Sequence, residues 1–166
     1  INSGGSYAVS VLTNPSSPTQ TCSVSNGSGT ITANVTNVTI TCTTQSFTVG
    51  GSVSGLASSG LGLRDSGGNN LSIAADGTFT FSTAVTSGQP YAVTVFAQPT
   101  SPAQTCTIAN GTGTMGGANI TNVTVNCSDT TYTVGGTVSG LSGTGLVLRN
   151  TGGNNLTVSA NGSFTF

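Results

Sequence analysis

The sequence predicts an all-β protein made of tandem seven-stranded β-sandwich repeats of about 85 residues. Three observations predict it. Self-similarity covers the whole chain, apolar and polar residues alternate with period two between closely spaced turn residues, and no segment carries a helical period.

The repeat can be read directly. YAVSVL at 7–12 recurs as YAVTVF at 91–96, and TCSVSNGSGT at 21–30 as TCTIANGTGT at 105–114, an offset of 84. Past one inserted residue near Met115 to Ala118 the offset becomes 85: NVTNVTITC at 34–42 matches NITNVTVNC at 119–127, TVGGSVSGL at 48–56 matches TVGGTVSGL at 133–141, and LGLRDSGGNNL at 61–71 matches LVLRNTGGNNL at 146–156. Phe166 corresponds to Phe81 and Ile1 to Val85, so only counterparts of Ser82, Thr83 and Ala84 separate the last residue from the first. Ile1 in place of Met, and no basic stretch leading into an apolar one, lead us to expect an excerpt from a longer, already exported precursor.

Within one repeat the elements follow in order. Strands are expected near 47–55, 61–65 and 70–74, where Val, Leu and Ile alternate with small polar residues, and near 78–82, where TFTFS does the same with Phe. The YAVTVFA run supplies a strand at 91–97, TCTIAN one at 105–110 and ITNVTVNC one at 120–127. Asp76-Gly77 and Asn161-Gly162 each lie between two short strands, the local signature of a hairpin with a type I′ turn. Seven short strands in this length suggest two packed sheets.

The repeat starts most naturally at the TVGG strand and ends after its second cysteine. Residues 45–129 then form one complete sandwich, 1–44 the last three strands of a preceding repeat and 130–166 the first four of a following one. A chain out of phase with its own domains is either cut from a continuous array or completed between molecules, as in donor-strand addition.

Composition limits function. There is no His, Trp, Lys or Glu, and the charges are Arg64, Arg149, Asp65, Asp76 and Asp129, only 3% of residues with a net charge of −1. A typical domain is about 25% charged. General acid–base and nucleophilic catalysis lack their usual side chains, so no enzymatic activity, catalytic residue or cofactor is expected. Two separated arginines make no nucleic-acid patch, and no run approaches the roughly 20 apolar residues of a membrane span. A near-neutral surface favours association, which makes self-association with identical or neighbouring repeats the expected partnership.

GGTVSGL at 135–141, GLVLRN at 145–150, NLTVSANGSFTF at 155–166 and SGQPYAVTV at 87–95 together resemble the prealbumin-like or carboxypeptidase-regulatory-like β-sandwich. The resemblance is strongest to the Cys-containing tandem Ig-like repeats of large bacterial extracellular proteins, and it implies an Ig-like sandwich at the cell surface. Some adhesin domains of that group carry a Lys–Asn isopeptide bond with an acidic catalyst, for which this chain has neither Lys nor Glu.

Cys22, Cys42, Cys106 and Cys127 form two equivalent pairs with no metal-type spacing, which reads as disulfides of an oxidising compartment. Alternation places Cys22 with Val24, Cys42 with Ile40 and Val38, Cys106 with Ile108, and Cys127 with Val125 and Val123. Antiparallel pairing then expects Cys22–Cys42 and Cys106–Cys127 bonds on the inward face, each contributing roughly 3 kcal/mol. Bonds between neighbouring repeats or protomers are the rival.

Other motifs have plainer readings. The GGNN runs at 67–70 and 152–155 are expected to be turns, since no helix or P-loop Lys follows. Asp65 and Asp76 are too few for a Ca²⁺ site and become Asn150 and Asn161 in the next copy, so no metal is expected. Tyr7, Tyr91, Tyr132, Phe79 and Phe81 are expected in the core. Glycosylation triplets begin at Asn26, Asn34, Asn37, Asn70, Asn110, Asn119, Asn122, Asn126, Asn155 and Asn161, as so Asn- and Thr-rich a chain produces by chance.

These readings converge on an extracellular filament or cell-surface rod of stacked sandwiches, stiffened by four-residue links at 43–46 and 128–131. The alternative is an adhesin module that recognises a glycan or protein through loops at the sandwich ends. The near-identity of the loops in the two copies favours the rod.

Overall fold

Alternating Val, Ile, Thr, Phe and Tyr, with Gly at the reversals, leaves only extended structure. The computed structural model describes residues 1–166 as eighteen strands and no helix. Two compact units result, Ile1–Asp129 and Thr130–Phe166.

The first unit begins with β1 (Ser6–Ala8), β2 (Gln20–Ser25), β3 (Ser28–Thr30) and β4 (Thr39–Thr44). They form two antiparallel ladders, β1 with β3 and β2 with β4. Ten further strands follow: β5 (Ser46–Phe47), β6 (Val49–Ser54), β7 (Leu61–Asp65), β8 (Asn70–Ile73), β9 (Gly77–Thr80), β10 (Val85–Thr86), β11 (Pro90–Ala97), β12 (Gln104–Ala109), β13 (Thr112–Thr114) and β14 (Ile120–Asp129). Eight of these make two four-stranded sheets, in the orders β13-β11-β7-β8 and β12-β14-β6-β9. The second unit holds β15 (Gly135–Val138), β16 (Leu146–Arg149), β17 (Asn155–Val158) and β18 (Gly162–Thr165), with β15 paired to β18 and β16 to β17.

Between the two sheets of 45–129 lies a core of Val49, Val53, Leu61, Leu63, Phe79, Phe81, Tyr91, Val93, Cys106, Met115, Val123 and Val125. Phe79 and Phe81 meet edge to face with centroids 5.8 Å apart, a favoured aromatic geometry. Each sheet joins the first half of the repeat to the second at one seam. β7 runs antiparallel to β11, and β6 runs parallel to β14 with Val53 opposite Val125. The parallel seam is tight: a Cβ on Gly51 would lie 1.7 Å from the Val123 carbonyl oxygen.

The Asp76-Gly77 hairpin does not form. β8 pairs with β7 and β9 with β6, so this segment crosses from one sheet to the other. Gly77 alone takes positive φ (146°), whereas a type I′ turn needs it at both central residues. The Asp76 carboxylate instead accepts the N–H groups of Gly55 (3.0 Å) and Leu56 (2.8 Å), closing the end of β6. Asn161-Gly162 departs from the hairpin in the same way, and the Asn161 amide oxygen accepts the Leu141 N–H at 2.7 Å.

Two short strands escape the alternation pattern. β13 is Thr-Gly-Thr, with no apolar residue to signal it, and pairs with β11 because the Tyr91 ring covers Gly113. β10 is two residues long and pairs with β5.

Candidate functional site at the repeat joint

The link between the first four strands and the complete sandwich is bonded on both sides. Gln45 donates its N–H to the Thr19 carbonyl (2.9 Å), and its own carbonyl accepts the Ser87 N–H (2.8 Å). The Ser87 hydroxyl oxygen, only 4% exposed as a residue, accepts the Thr19 N–H at 3.0 Å. Thr19, Gln45 and Ser87 thus close a small ring of hydrogen bonds with one corner before the link, one on it and one after it.

Flanking contacts extend this ring. The Gln45 side-chain amide donates to the Thr21 hydroxyl, and the Gln20 amide donates to the Thr44 hydroxyl at 3.0 Å. On the far side β5 pairs with β10, Thr48 N–H donates to the Asn119 amide oxygen (2.9 Å), and Ile120 N–H donates to the Thr48 carbonyl (2.9 Å). Gly117 lets Thr19 approach, since a Cβ there would sit 2.9 Å from the Thr19 hydroxyl oxygen. None of these groups is charged, so screening by salt has little to act on.

The cysteines pair as direct cross-strand partners, Cys22 with Cys42 and Cys106 with Cys127. Cys106 is 4% exposed in the core and Cys127 packs against it. The first pair differs from the inward placement expected of it. Cys42 is exposed and Cys22 half-buried, because β2 and β4 have no strands beside them like β6 and β9. Two disulfides fit an oxidising environment.

Asp65 is buried and holds the GGNN turn, accepting the Asn69 N–H (2.9 Å) and its side-chain amide (2.8 Å). No group of three or more His, Cys, Asp or Glu side chains comes together, and no helix is long and apolar enough to cross a membrane. Tyr91, Phe79 and Phe81 are buried and Tyr7 half-buried. Tyr132 is not in a core but 79% exposed, since its four-stranded unit has no further strands to cover it. Among the triplet asparagines, Asn26 and Asn110 both adopt φ of 56° and donate their amides to the carbonyls of Asn37 (3.0 Å) and Asn122 (3.2 Å). That use is structural.

Sequence reasoning missed Thr19, Gln45 and Ser87. Their bonds run mostly through the backbone, and their counterparts Ala103, Thr130 and Ser3 preserve only the serine. The shortness of the 43–46 link was the one available signal. Compared with family models, curated proteins and solved structures, the chain matches none.

Proposed function

We propose that this chain is a structural component of an extracellular filament or cell-surface rod, built from stacked, disulfide-bonded β-sandwich repeats. The observation that carries the proposal is the Thr19–Gln45–Ser87 ring, which makes the 43–46 link part of the folded structure. A free four-residue linker permits bending at every joint, whereas a link bonded to both neighbours transmits orientation from one repeat to the next. The charge-poor surface favours packing against like surfaces. A place among Ig-like tandem repeats of bacterial surface proteins belongs to the same proposal, supported by the GGTVSGL and SGQPYAVTV motifs.

The test is a chain of several repeats with and without a Gly-Gly-Ser insertion after the residue equivalent to Thr44. The uninterrupted chain is expected to give straight particles by electron microscopy and a rod-like scattering profile. The insertion separates the Gln45 and Thr19 corners and is expected to widen the angle distribution at each joint. Equal bending in both chains overturns the proposal.

A further inference from the structure

Within 45–129 one large apolar side chain stays exposed, Phe96, at 45%. It lies on the outer face of the β13-β11-β7-β8 sheet, because Val93 and Val95 turn the other face of β11 into the core. The ring has a built seat: a Cβ on Gly62 would lie 2.6 Å from it, so only glycine lets the ring rest against β7. The Arg64 guanidinium carbon stands 5.2 Å from the ring centroid. Arg64 is itself held, since its Nε–H donates to the Asn70 amide oxygen at 2.8 Å across the β7–β8 register. Thr94 faces Arg64 from β11, and Ser72 faces Gly62 from β8. A ring, an oriented guanidinium and neutral hydroxyl and amide groups thus share one open face, and no carboxylate lies on it.

The few charges of the chain single this face out. Each carboxylate is engaged by neutral groups: Asp65 by Asn69, Asp76 by the N–H groups of Gly55 and Leu56, and Asp129 by the Gln104 amide at 2.9 Å. None is kept between copies, since Asn150, Asn161 and Thr44 hold the corresponding places. Arginine is kept. Arg149 corresponds to Arg64, and it faces Asn155 as Arg64 faces Asn70. An almost uncharged chain therefore retains a cation at one place in its repeat. At Arg64 that cation is bonded to a neutral amide through Nε, which leaves its Nη–H edge for a carboxylate.

We propose that the Arg64–Phe96 face binds a mostly neutral glycan through an acidic sugar, with the sugar carboxylate on the Arg64 Nη–H groups and a pyranose C–H face on the Phe96 ring. The negative face of the ring attracts polarised C–H groups, and Asn70, Ser72 and Thr94 are within the same face to bond sugar hydroxyls. A polyanion fits less well. Nucleic acid is held by clustered cations, and a run of acidic peptide side chains needs the same, whereas this face has one. A single carboxylate among neutral sugars matches a single guanidinium among neutral side chains. The site lies on a sheet face within one repeat, away from the sandwich-end loops, and it stands whether or not repeats stack.

The ring and its seat vary between copies. Leu12 holds the place of Phe96 in the copy before, and Val147 holds the place of Gly62 in the copy after. The guanidinium subsite recurs, while the ring subsite belongs to the middle repeat, where both of its partners are present.

The test is an NMR titration of the isotope-labelled 166-residue chain with a glucuronate-bearing xylotriose, and with the same compound after reduction of its carboxylate to the alcohol. Shifts are followed at the backbone amides of positions 64, 70 and 96, so a second site at Arg149 does not enter. The acidic sugar is expected to bind there about tenfold or more tightly than the reduced one, and added salt should narrow the difference. Arg64→Gln should remove the difference. Phe96→Leu should weaken both sugars and leave their ratio unchanged. Both side chains are exposed, so an unchanged melting temperature shows that each variant is folded, and the wild-type comparison needs neither. Equal binding of the acidic and reduced sugars overturns the inference, as does a glutamate hexapeptide that binds as tightly as the acidic sugar. Shifts confined to the sandwich-end loops at 55–60 and 98–103 overturn it too and favour the adhesin reading. No shift at the three amides with millimolar sugar also overturns it.

Discussion

Gly51→Ala is expected to abolish the 45–129 sandwich, with a loss of about 4 kcal/mol or more, in the range reserved for severe core damage. The cause is local and backbone-based. A methyl group at this position would lie 1.7 Å from the Val123 carbonyl oxygen and 2.9 Å from its Cα, atoms that no side-chain rotation can move. Relief requires separating β6 from β14, and this is the seam on which Val53 and Val125, both essentially buried, face each other. Thermal unfolding followed by circular dichroism checks it: the main transition should be lost or shifted to low temperature. The same substitution at Gly136 meets only the half-exposed Phe164 ring and should leave that transition where it is.

Removing the second disulfide by a Cys106→Ala, Cys127→Ala double substitution is expected to cost about 3 kcal/mol through the restored freedom of the unfolded chain. The bond closes a separation of 21 residues, and a small domain has about 5 to 15 kcal/mol in all. For a unit of this size the midpoint should fall by roughly 12 to 24 °C. Cys22→Ala with Cys42→Ala should leave that midpoint nearly unchanged, because this bond lies in the first four strands with one sulfur residue exposed. Calorimetry of the two double variants separates the effects.

Repetition and alternation made much of the fold legible. The seven expected strands all exist within a few residues of their bounds, because each carries apolar side chains on one face only. Sheet membership was less legible. Asp76-Gly77 has the local chemistry of a hairpin turn, but what decides its path is the Asp76 carboxylate capping Gly55 and Leu56, twenty residues away. The parallel β6–β14 seam left no mark in sequence beyond Gly51, and one glycine among 25 is no signal. Thr112–Thr114 was missed because a Thr-Gly-Thr strand has no apolar face.

The joint lies at the same limit. Thr19, Gln45 and Ser87 are ordinary polar residues, and it is their backbone groups that meet. Charge would have been easier to read. A chain with almost no ionic groups must build rigidity from neutral hydrogen bonds and sulfur bridges; the hydrogen-bond ring lies at the 43–46 link, and each sulfur bridge lies within one antiparallel strand pair. At 43–46 the short link is bonded on both sides and continues into the β5–β10 pairing.

Native-state hydrogen exchange at the Gln45 and Ser87 amides tests this most directly, since both donate across the link. Protection approaching that of the β6 and β14 amides is the expected result, because opening the ring requires separating one repeat from the next. Exchange at the rate of an unstructured peptide, with the sheet amides still protected, would show a free hinge and contradict the account.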